Sequence, residues 1–290
     1  EEKEYTITIF DGTYTESDMV IFQNPELPNK SLLIKAQTPK GVTIKRNNDS
    51  STHRIFLISG LSNYNGGCPI TIEGIRFDIS DGDGSAIYLG GGGSGATDPY
   101  IIGNNGAHRY AHDVTIRNCE FVGNGTENTK ALESPNRSSA AGIVIENCTG
   151  SDLGYLAEGY FADTTDGNRI ALTVKGCKVS NVKALINNQV GTSTTVVEDC
   201  TVSAYHDYIV RSKGTNIIVK NSTFTSTYTG SETGGVIVCR QDNQSVTVEG
   251  CTFNKVSENM YDVYNETAAS TTINEEITLT TGHGYNFPIK

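Results

Sequence analysis

One stretch of the sequence combines aromatic rings with a guanidinium in an interval that is too long for a turn. Between Gly90 and Asp113 the chain carries Tyr100, Arg109 and Tyr110. Sugars stack on aromatic rings and form hydrogen bonds through their hydroxyls, so these residue types suit carbohydrate binding. Because long loops are often functional, this interval is a candidate binding site. The alternative is a surface flap that only covers an apolar wall.

A second set of polar residues recurs at intervals along the chain and could form a stripe on one face. Arg211 and Arg240 each follow an apolar, strand-like run. A guanidinium can bind the carboxylate of an acidic sugar through two parallel hydrogen bonds. The alternative is a solvated face with scattered charges. The predicted members of the stripe are Glu133, Asp163, Asn187, Arg211, Arg240 and Tyr264.

A third candidate is an acidic segment in which Asp78, Asp81 and Asp83 lie close together beside glycines. Closely spaced carboxylates of this kind can surround a hard cation such as Ca²⁺. The segment lacks the glutamate that closes an EF-hand loop, and an acidic turn between strands is the alternative. Calcium is the only cofactor that the sequence suggests.

The elements that position these residues follow from a repeat. Seven segments share alternating β-forming residues, as in Val114–Phe121 (VTIRNCEF) and Val246–Phe253 (VTVEGCTF). Their fifth position always holds Gly, Asn or Asp, the residue types that tolerate a positive φ. We therefore predict a left-handed bend of one residue between two strands. The predicted bends are Gly74, Asn118, Asn147, Gly176, Asp199, Asn221 and Gly250.

The position after the bend is a cysteine in five of the seven segments. A free cysteine behaves as a small buried hydrophobic residue, so the pattern favours a stacked ladder of thiols. A disulfide framework is the alternative, but stacked coils would hold the Cβ vectors parallel. No CxxC pair is present, which argues against a zinc site. The ladder comprises Cys119, Cys148, Cys177, Cys200 and Cys251.

The spacing of the bends predicts a solenoid. Successive bends are 44, 29, 29, 23, 22 and 29 residues apart. About 22 residues suffice for three short strands and three turns, and self-similarity at such a period is typical of stacked repeats. We predict one all-β domain over residues 1–290, with three strands per coil. Residues 1–60 are expected to form entry coils and an N-terminal cap. Residues 61–269 form the core coils, with a long loop near 90–113, and residues 270–290 cap the C-terminal end.

The repeat unit resembles that of pectin-lyase-like proteins, which fold as a right-handed parallel β-helix. Asp11–Glu16 (DGTYTE) resembles the opening of pectin methylesterases and related surface proteins. The resemblance covers about Tyr5 to Tyr264 and implies a right-handed β-helix of about eight to ten coils. Family members include lyases, hydrolases, esterases, phage tailspikes and bacterial adhesins, so the fold does not assign a function.

The motifs that would carry these activities are incomplete in this chain. The sequence contains no Trp, and Asp207–Val210 matches the esterase Asp motif only in part. Pectate lyases place Asp residues on successive coils, whereas Ala184–Asn188 is apolar or amide. No set of two or three Asp on adjacent coils matches that of the hydrolases. The sequence therefore predicts no catalytic residues.

Composition excludes several partners. The formal net charge is −11, and such a field repels nucleic acid and anionic membrane surfaces. No run of about 18 apolar residues is present, so no membrane span is expected. The start at Glu1 and Glu2 is interpreted as a mature or trimmed end from which a signal peptide has been removed.

These observations favour a secreted or cell-surface bacterial protein that contacts carbohydrate, adhesin-like and without catalysis. The expected partner is a polysaccharide or a cell-surface glycan. The first alternative is a lyase, or another carbohydrate-active enzyme, on an acidic glycan. The second alternative is a purely structural stalk.

Overall fold

Short strands that follow the sequence repeat account for most of the chain. The computed structural model describes residues 3–16, 20–24, 30–46, 53–60, 68–90, 109–135, 138–162, 170–230, 234–241, 244–257, 259–266 and 272–273. The strands are β1 (Lys3–Ile9), β2 (Gly12–Glu16), β3 (Val20–Asn24), β4 (Lys30–Ala36), β5 (Val42–Arg46), β6 (His53–Gly60), β7 (Ile70–Glu73), β8 (Ile75–Asp78), β9 (Gly84–Leu89), β10 (Arg109–His112), β11 (Val114–Arg117), β12 (Glu120–Val122), β13 (Thr129–Ser134), β14 (Ser138–Ala141), β15 (Ile143–Glu146), β16 (Thr149–Gly159), β17 (Leu172–Lys175), β18 (Lys178–Asn188), β19 (Thr194–Glu198), β20 (Thr201–Ser212), β21 (Asn216–Lys220), β22 (Thr223–Ser226), β23 (Gly234–Cys239), β24 (Ser245–Glu249), β25 (Thr252–Asn254), β26 (Met260–Asn265) and β27 (Thr272–Ile273).

Apart from β10 and β14, which pair only with each other, these strands form three walls of parallel strands, which we call A, B and C. Wall A is one sheet with the order β1-β4-β7-β11-β15-β17-β19-β21-β24-β27. Wall B contains β2, β5, β8, β12, β22 and β25, and wall C contains β3, β6, β9, β13, β23 and β26. The long strands β16, β18 and β20 belong to both, because their first halves pair within wall B and their second halves within wall C.

The architecture is the predicted right-handed parallel β-helix. Each coil runs through walls A, B and C in turn, and parallel crossovers of this kind are right-handed in nearly all proteins. The ten strands of wall A lie at the upper end of the predicted range of eight to ten coils. Apolar side chains such as Ile72, Ile116 and Phe121 fill the interior, and each is no more than 1% exposed. Within the described residues, no helix is long and apolar enough to cross a membrane.

All seven predicted bends have a positive φ, between 48° at Asn221 and 72° at Gly74. The backbone N–H of each of the first six donates to a carbonyl of the next coil, as from Asn147 to Lys175 at 2.9 Å. Lys40 adds an eighth bend at φ 63°, and its N–H donates to the carbonyl of Gly74. The sequence did not reveal this position because lysine is not a residue type that favours positive φ.

The thiol ladder is also confirmed. All seven cysteines are free and buried. The Cys148 thiol lies 3.5 Å from the carbonyl oxygen of Ile116 in the preceding coil, and Cys177 and Cys200 make equivalent contacts. Burial raises the pKa of the Cys251 thiol. The five ladder cysteines are no more than 5% exposed, so reactants in the solvent cannot reach them and the ladder is structural.

The outward face of wall A carries a ladder of alternating charges. In the eight strands from β4 to β24 the last outward residue is acidic or basic, and each of its register partners within these strands has the opposite sign. Arg117, for example, donates to Glu73 at 2.7 Å and 3.0 Å. The members of this charge ladder are Lys35, Glu73, Arg117, Glu146, Lys175, Glu198, Lys220 and Glu249.

Candidate functional site

The insertions in the solenoid border wall C. From β7 onward, the corner between walls A and B holds only one or two residues. The longer coils place their extra residues at the two other corners. Residues 123–128 and 227–233 connect wall B to wall C, whereas residues 90–108 and 160–171 follow wall C strands. Wall C is therefore the face next to the points where the chain leaves the stack and returns to it.

The predicted loop near residues 90–113 is described by the structure only at its two ends, since residues 91–108 lie outside the described residues. Its last part forms β10, which pairs in parallel with β14. Arg109 and Tyr110 therefore belong to a strand rather than to a loop. Tyr100 lies outside the described residues, so its predicted role in binding stays a prediction.

Two rows of side chains face outward on wall C. The first, which we call the mixed row, follows the strand register through seven strands. The second, which we call the tyrosine row, lies three residues earlier on four of these strands. The residues between the rows belong to the interior core, so the two rows point away from it. The mixed row is Tyr88, Glu133, Glu158, Asn187, Arg211, Val238 and Tyr264, and the tyrosine row is Lys130, Tyr155, Ala184 and Tyr208.

The N-terminal part of the mixed row is acidic and internally paired. Lys130 Nζ lies 2.7 Å from Glu158 and 3.5 Å from Glu133. Burial lowers the pKa of Lys130, but the two carboxylates outweigh burial and raise it overall. Asn187 Nδ2 donates to Glu158 at 2.9 Å, and the buried Asn187 Oδ1 has no hydrogen-bond partner. Such oxygens suit a hard cation, but the Lys130 ammonium already supplies the positive charge between the two glutamates.

The middle of wall C is an external apolar cluster. Tyr155 and Tyr208 are 7% and 4% exposed, and Ala184 lies between them in register. Burial raises the pKa of Tyr208, so its phenol stays protonated at neutral pH. The Lys183 ammonium lies 5.9 Å from the ring centroid of Tyr155 and is paired with Glu127. This region therefore holds a phenol proton donor beside a cation.

The C-terminal part of wall C is basic and aromatic. Arg211 Nε and Nη2 donate to the two oxygens of Glu266 at 3.0 Å and 3.1 Å. Arg240 Nε donates to the same carboxylate at 3.1 Å. The rings of Tyr261 and Tyr264 stack with centroids 6.0 Å apart. Arg211, Arg240 and Tyr264 are members of the stripe predicted from the sequence, whereas Tyr261 was not predicted.

The predicted stripe is real in part. Glu133, Asn187, Arg211 and Tyr264 lie on the mixed row. Arg240 does not, because it follows the end of β23, but it meets Arg211 through Glu266. Asp163 lies outside the described residues, and the acidic position of its coil on the mixed row is Glu158. The sequence analysis did not identify Glu158, which is the register partner of Glu133 on the adjacent strand.

The predicted calcium segment is held by hydrogen bonds within the protein. Asp78 accepts from the Ser80 hydroxyl at 2.6 Å and lies 3.2 Å from Lys45. Asp83 accepts from Thr126 at 2.7 Å. Among the described residues, no group of three or more His, Cys, Asp or Glu side chains is arranged to hold a metal ion. Calcium binding by Asp78, Asp81 and Asp83 stays a prediction.

Solved structures with the same fold include polysaccharide lyases. A mannuronic acid specific polysaccharide family 6 lyase from human gut microbiota superposes with a TM-score of 0.55 at 14% identity, over 93% of this chain and 67% of that one. The PL6 family alginate lyase AlyGC superposes with a TM-score of 0.52 at 14% identity, over 97% of this chain and 36% of that one. No protein-family model matches the sequence. No curated protein matches it either.

Proposed function

We propose that the protein is a polysaccharide lyase that acts on an acidic glycan bound along wall C. The observation that carries the proposal is the break in the repeat on this wall. Two carboxylates, an amide and a guanidinium succeed one another in the mixed row, beside two buried tyrosines. The lyase function of two structural neighbours supports this choice over the adhesin-like alternative. This chain spans 67% and 36% of the length of those two proteins.

The chemistry of β-elimination matches the groups in the middle of wall C. In this reaction a base takes the proton from the carbon next to a uronate carboxylate, a double bond forms to the neighbouring carbon, and the glycosidic oxygen on that carbon leaves with a proton from a donor. A cation that neutralises the carboxylate makes the first step easier, as preorganised charges do in general. We assign the role of proton donor to Tyr208, whose ring belongs to the external cluster of wall C and lies 5.8 Å from the Arg211 guanidinium. Arg211 is the cation beside Tyr208, and Lys183 lies 5.9 Å from the ring centroid of Tyr155 in the same row.

The proposal is tested by the unsaturated product, which absorbs near 235 nm. Alginate is the first substrate to assay, because one neighbour is described as an alginate lyase and the other as specific for mannuronic acid; pectate and glycosaminoglycans follow. Tyr208→Phe and Lys183→Ala should each lower the rate by about 100-fold, the order expected for removing one group that stabilises a transition state. Lys220→Ala on wall A is the matched control and should not change it. No absorbance on any uronate polymer would refute the lyase proposal.

Glycan binding without turnover is the second candidate. Four cations of wall C are already paired with carboxylates: Lys130, Lys183, Arg211 and Arg240. Such pairing favours the protonated form, whereas a general base must give up its proton near the working pH. A glycan array that shows specific binding, together with no signal at 235 nm, would favour this adhesin-like function. Both functions place the protein outside the cell, where polysaccharides are found.

A further inference from the structure

One carboxylate on wall C is shared by two guanidiniums from two different coils. Glu266 accepts two hydrogen bonds from Arg211 and one from Arg240, at 3.0 Å to 3.1 Å. Arg211 reaches it across Val238, which occupies the mixed row of the intervening coil. Two guanidiniums face one carboxylate, so the cluster keeps a net positive charge.

This arrangement differs from the ion pairs that repeat on wall A. There, each cation meets a carboxylate on the directly adjacent strand, as Arg117 meets Glu73. Glu266 instead lies at the end of β26, two coils away from Arg211. The side chains of Arg211, Arg240 and Glu266 are all between 24% and 33% exposed. A ligand in the solvent can therefore reach this cluster.

We infer that Arg211 and Arg240 form a subsite for the carboxylate of a uronate sugar, and that Glu266 occupies this subsite until the sugar displaces it. The inference rests on the proposed function and names its substrate class. The fork of a guanidinium fits a planar carboxylate through two parallel hydrogen bonds, and Arg211 already makes this bidentate contact with Glu266. A uronate carboxylate has the same shape and charge as the Glu266 carboxylate.

The exchange requires that the internal pair be weak. Partly exposed ion pairs contribute little to stability, because solvent screens them and their side chains lose entropy. The stacked rings of Tyr261 and Tyr264 lie beside the cluster and offer a surface for the sugar ring. A neutral sugar has no carboxylate to replace that of Glu266, so it would leave the internal pair in place. The subsite therefore selects for charged sugars.

The test compares the wild-type protein with Glu266→Gln by isothermal titration calorimetry at low temperature. The ligands are a mannuronate tetrasaccharide and, as the neutral probe, cellotetraose. Removing an internal competitor that fills the subsite about nine-tenths of the time raises the apparent affinity about 10-fold. We expect this gain for the uronate and no change for cellotetraose. Glu249→Gln removes one carboxylate of a wall A ion pair and controls for the change in net charge.

The possible results distinguish the carboxylate subsite from the proposed lyase function. Suppose that the wild-type protein binds and cleaves the uronate, but Glu266→Gln binds it no more tightly than Glu249→Gln does. Glu266 then does not compete with the sugar for the subsite, and the lyase proposal still stands. If neither protein binds the uronate, the subsite fails, and the proposed function fails with it only when no uronate polymer is cleaved. Should Glu266→Gln not fold, Glu266→Asp keeps the charge but shortens its reach, and a several-fold tighter binding is then expected. A lower KM for the uronate polymer in Glu266→Gln than in the wild-type protein, at unchanged kcat, would independently support displacement of Glu266 by the sugar.

Discussion

Wall A and wall C belong to the same coils, yet their outward faces differ in pattern. On wall A the charge ladder alternates in sign over eight successive strands. Any two adjacent members of the ladder therefore have opposite charges. On wall C the mixed row places Glu133 beside Glu158 and follows them with Asn187 and Arg211. Like charges on adjacent strands repel each other, so this order is not the one that strand pairing favours.

The difference separates two roles of surface charge in a solenoid. Alternation on wall A fixes the register, because a slip by one coil would place like charges together. The mixed row needs Lys130 to hold its two glutamates together. Proteins accept such local conflicts mainly at functional sites. A row that departs from the repeat is therefore a better guide to function in this fold than the number of charged residues.

The largest expected effect is on the rate of uronate cleavage, and it should differ between two arginines that each pair with a glutamate. Arg211→Ala on wall C should reduce uronate cleavage about 100-fold, the order for loss of one charged group that binds the reacting substrate. Arg117→Ala on wall A should leave cleavage unchanged. Initial rates at 235 nm measure both. An equal loss in the two variants would mean that wall C has no special role.

A second experiment acts on the corner that joins walls A and B. Asn147 has φ 53°, a conformation that costs a β-branched residue about 1–2 kcal/mol. Asn147→Val should lower the free energy of unfolding by that amount, as measured by urea denaturation. Thr173→Val changes an outward residue of wall A and should have almost no effect. Equal stability of the two variants would contradict the strained bend.

The charge ladder itself can be inverted at one position. Arg117→Glu would place three acidic side chains in succession on wall A, with Glu73 and Glu146 on either side. Unfavourable cross-strand pairs of this kind cost up to about 1 kcal/mol in total. Arg117→Gln should lose roughly half as much. Because salt screens exposed charges, the difference should shrink in 1 M NaCl; a difference that persists in salt would point to packing instead.

The smallest effect concerns pH. Burial raises the pKa of Tyr208, so above about pH 10 the unfolded chain loses this proton before the folded protein does. Stability that is present below pH 10 is then lost as pH rises. Tyr208→Phe should lose less stability between pH 9 and pH 11 than the wild-type protein does. Tyr14→Phe, at an exposed tyrosine, is the control and should behave like the wild type.

The sequence predicted most of the fold because its repeat rests on local chemistry. Gly, Asn and Asp mark the bends, since few other residue types accept positive φ. Cysteine marks a narrow interior position. Lys40 and Ala204 escaped prediction, because their positive φ of 63° and 61° is imposed by the stack and not by their own side chains.

The site was harder to predict than the fold. Glu158 lies in β16, where the interruptions at Asp152, Gly154 and Gly159 hide the strand pattern. The strand turns the corner at Asp152, which has φ 56°. Nor does the sequence indicate that Arg211 and Arg240 meet at Glu266, because this contact depends on side chains that reach across a coil. Register positions could be inferred from the repeat, whereas contacts between rows required the structure.

The bends also determine where this scaffold tolerates added sequence. At the corner between walls A and B, the backbone N–H of each of the six bends from Gly74 to Asn221 donates a hydrogen bond to a carbonyl of the next coil, as from Asn118 to Glu146 at 3.1 Å. An extra residue there would break a continuous hydrogen-bonded column. The connection between β22 and β23 already varies the coil length, and Thr227 at its start still donates to the carbonyl of Tyr205 at 2.9 Å. A peptide or a small domain should therefore be grafted after Tyr228, at 229–230, where variation in loop length leaves the column at the corner between walls A and B intact.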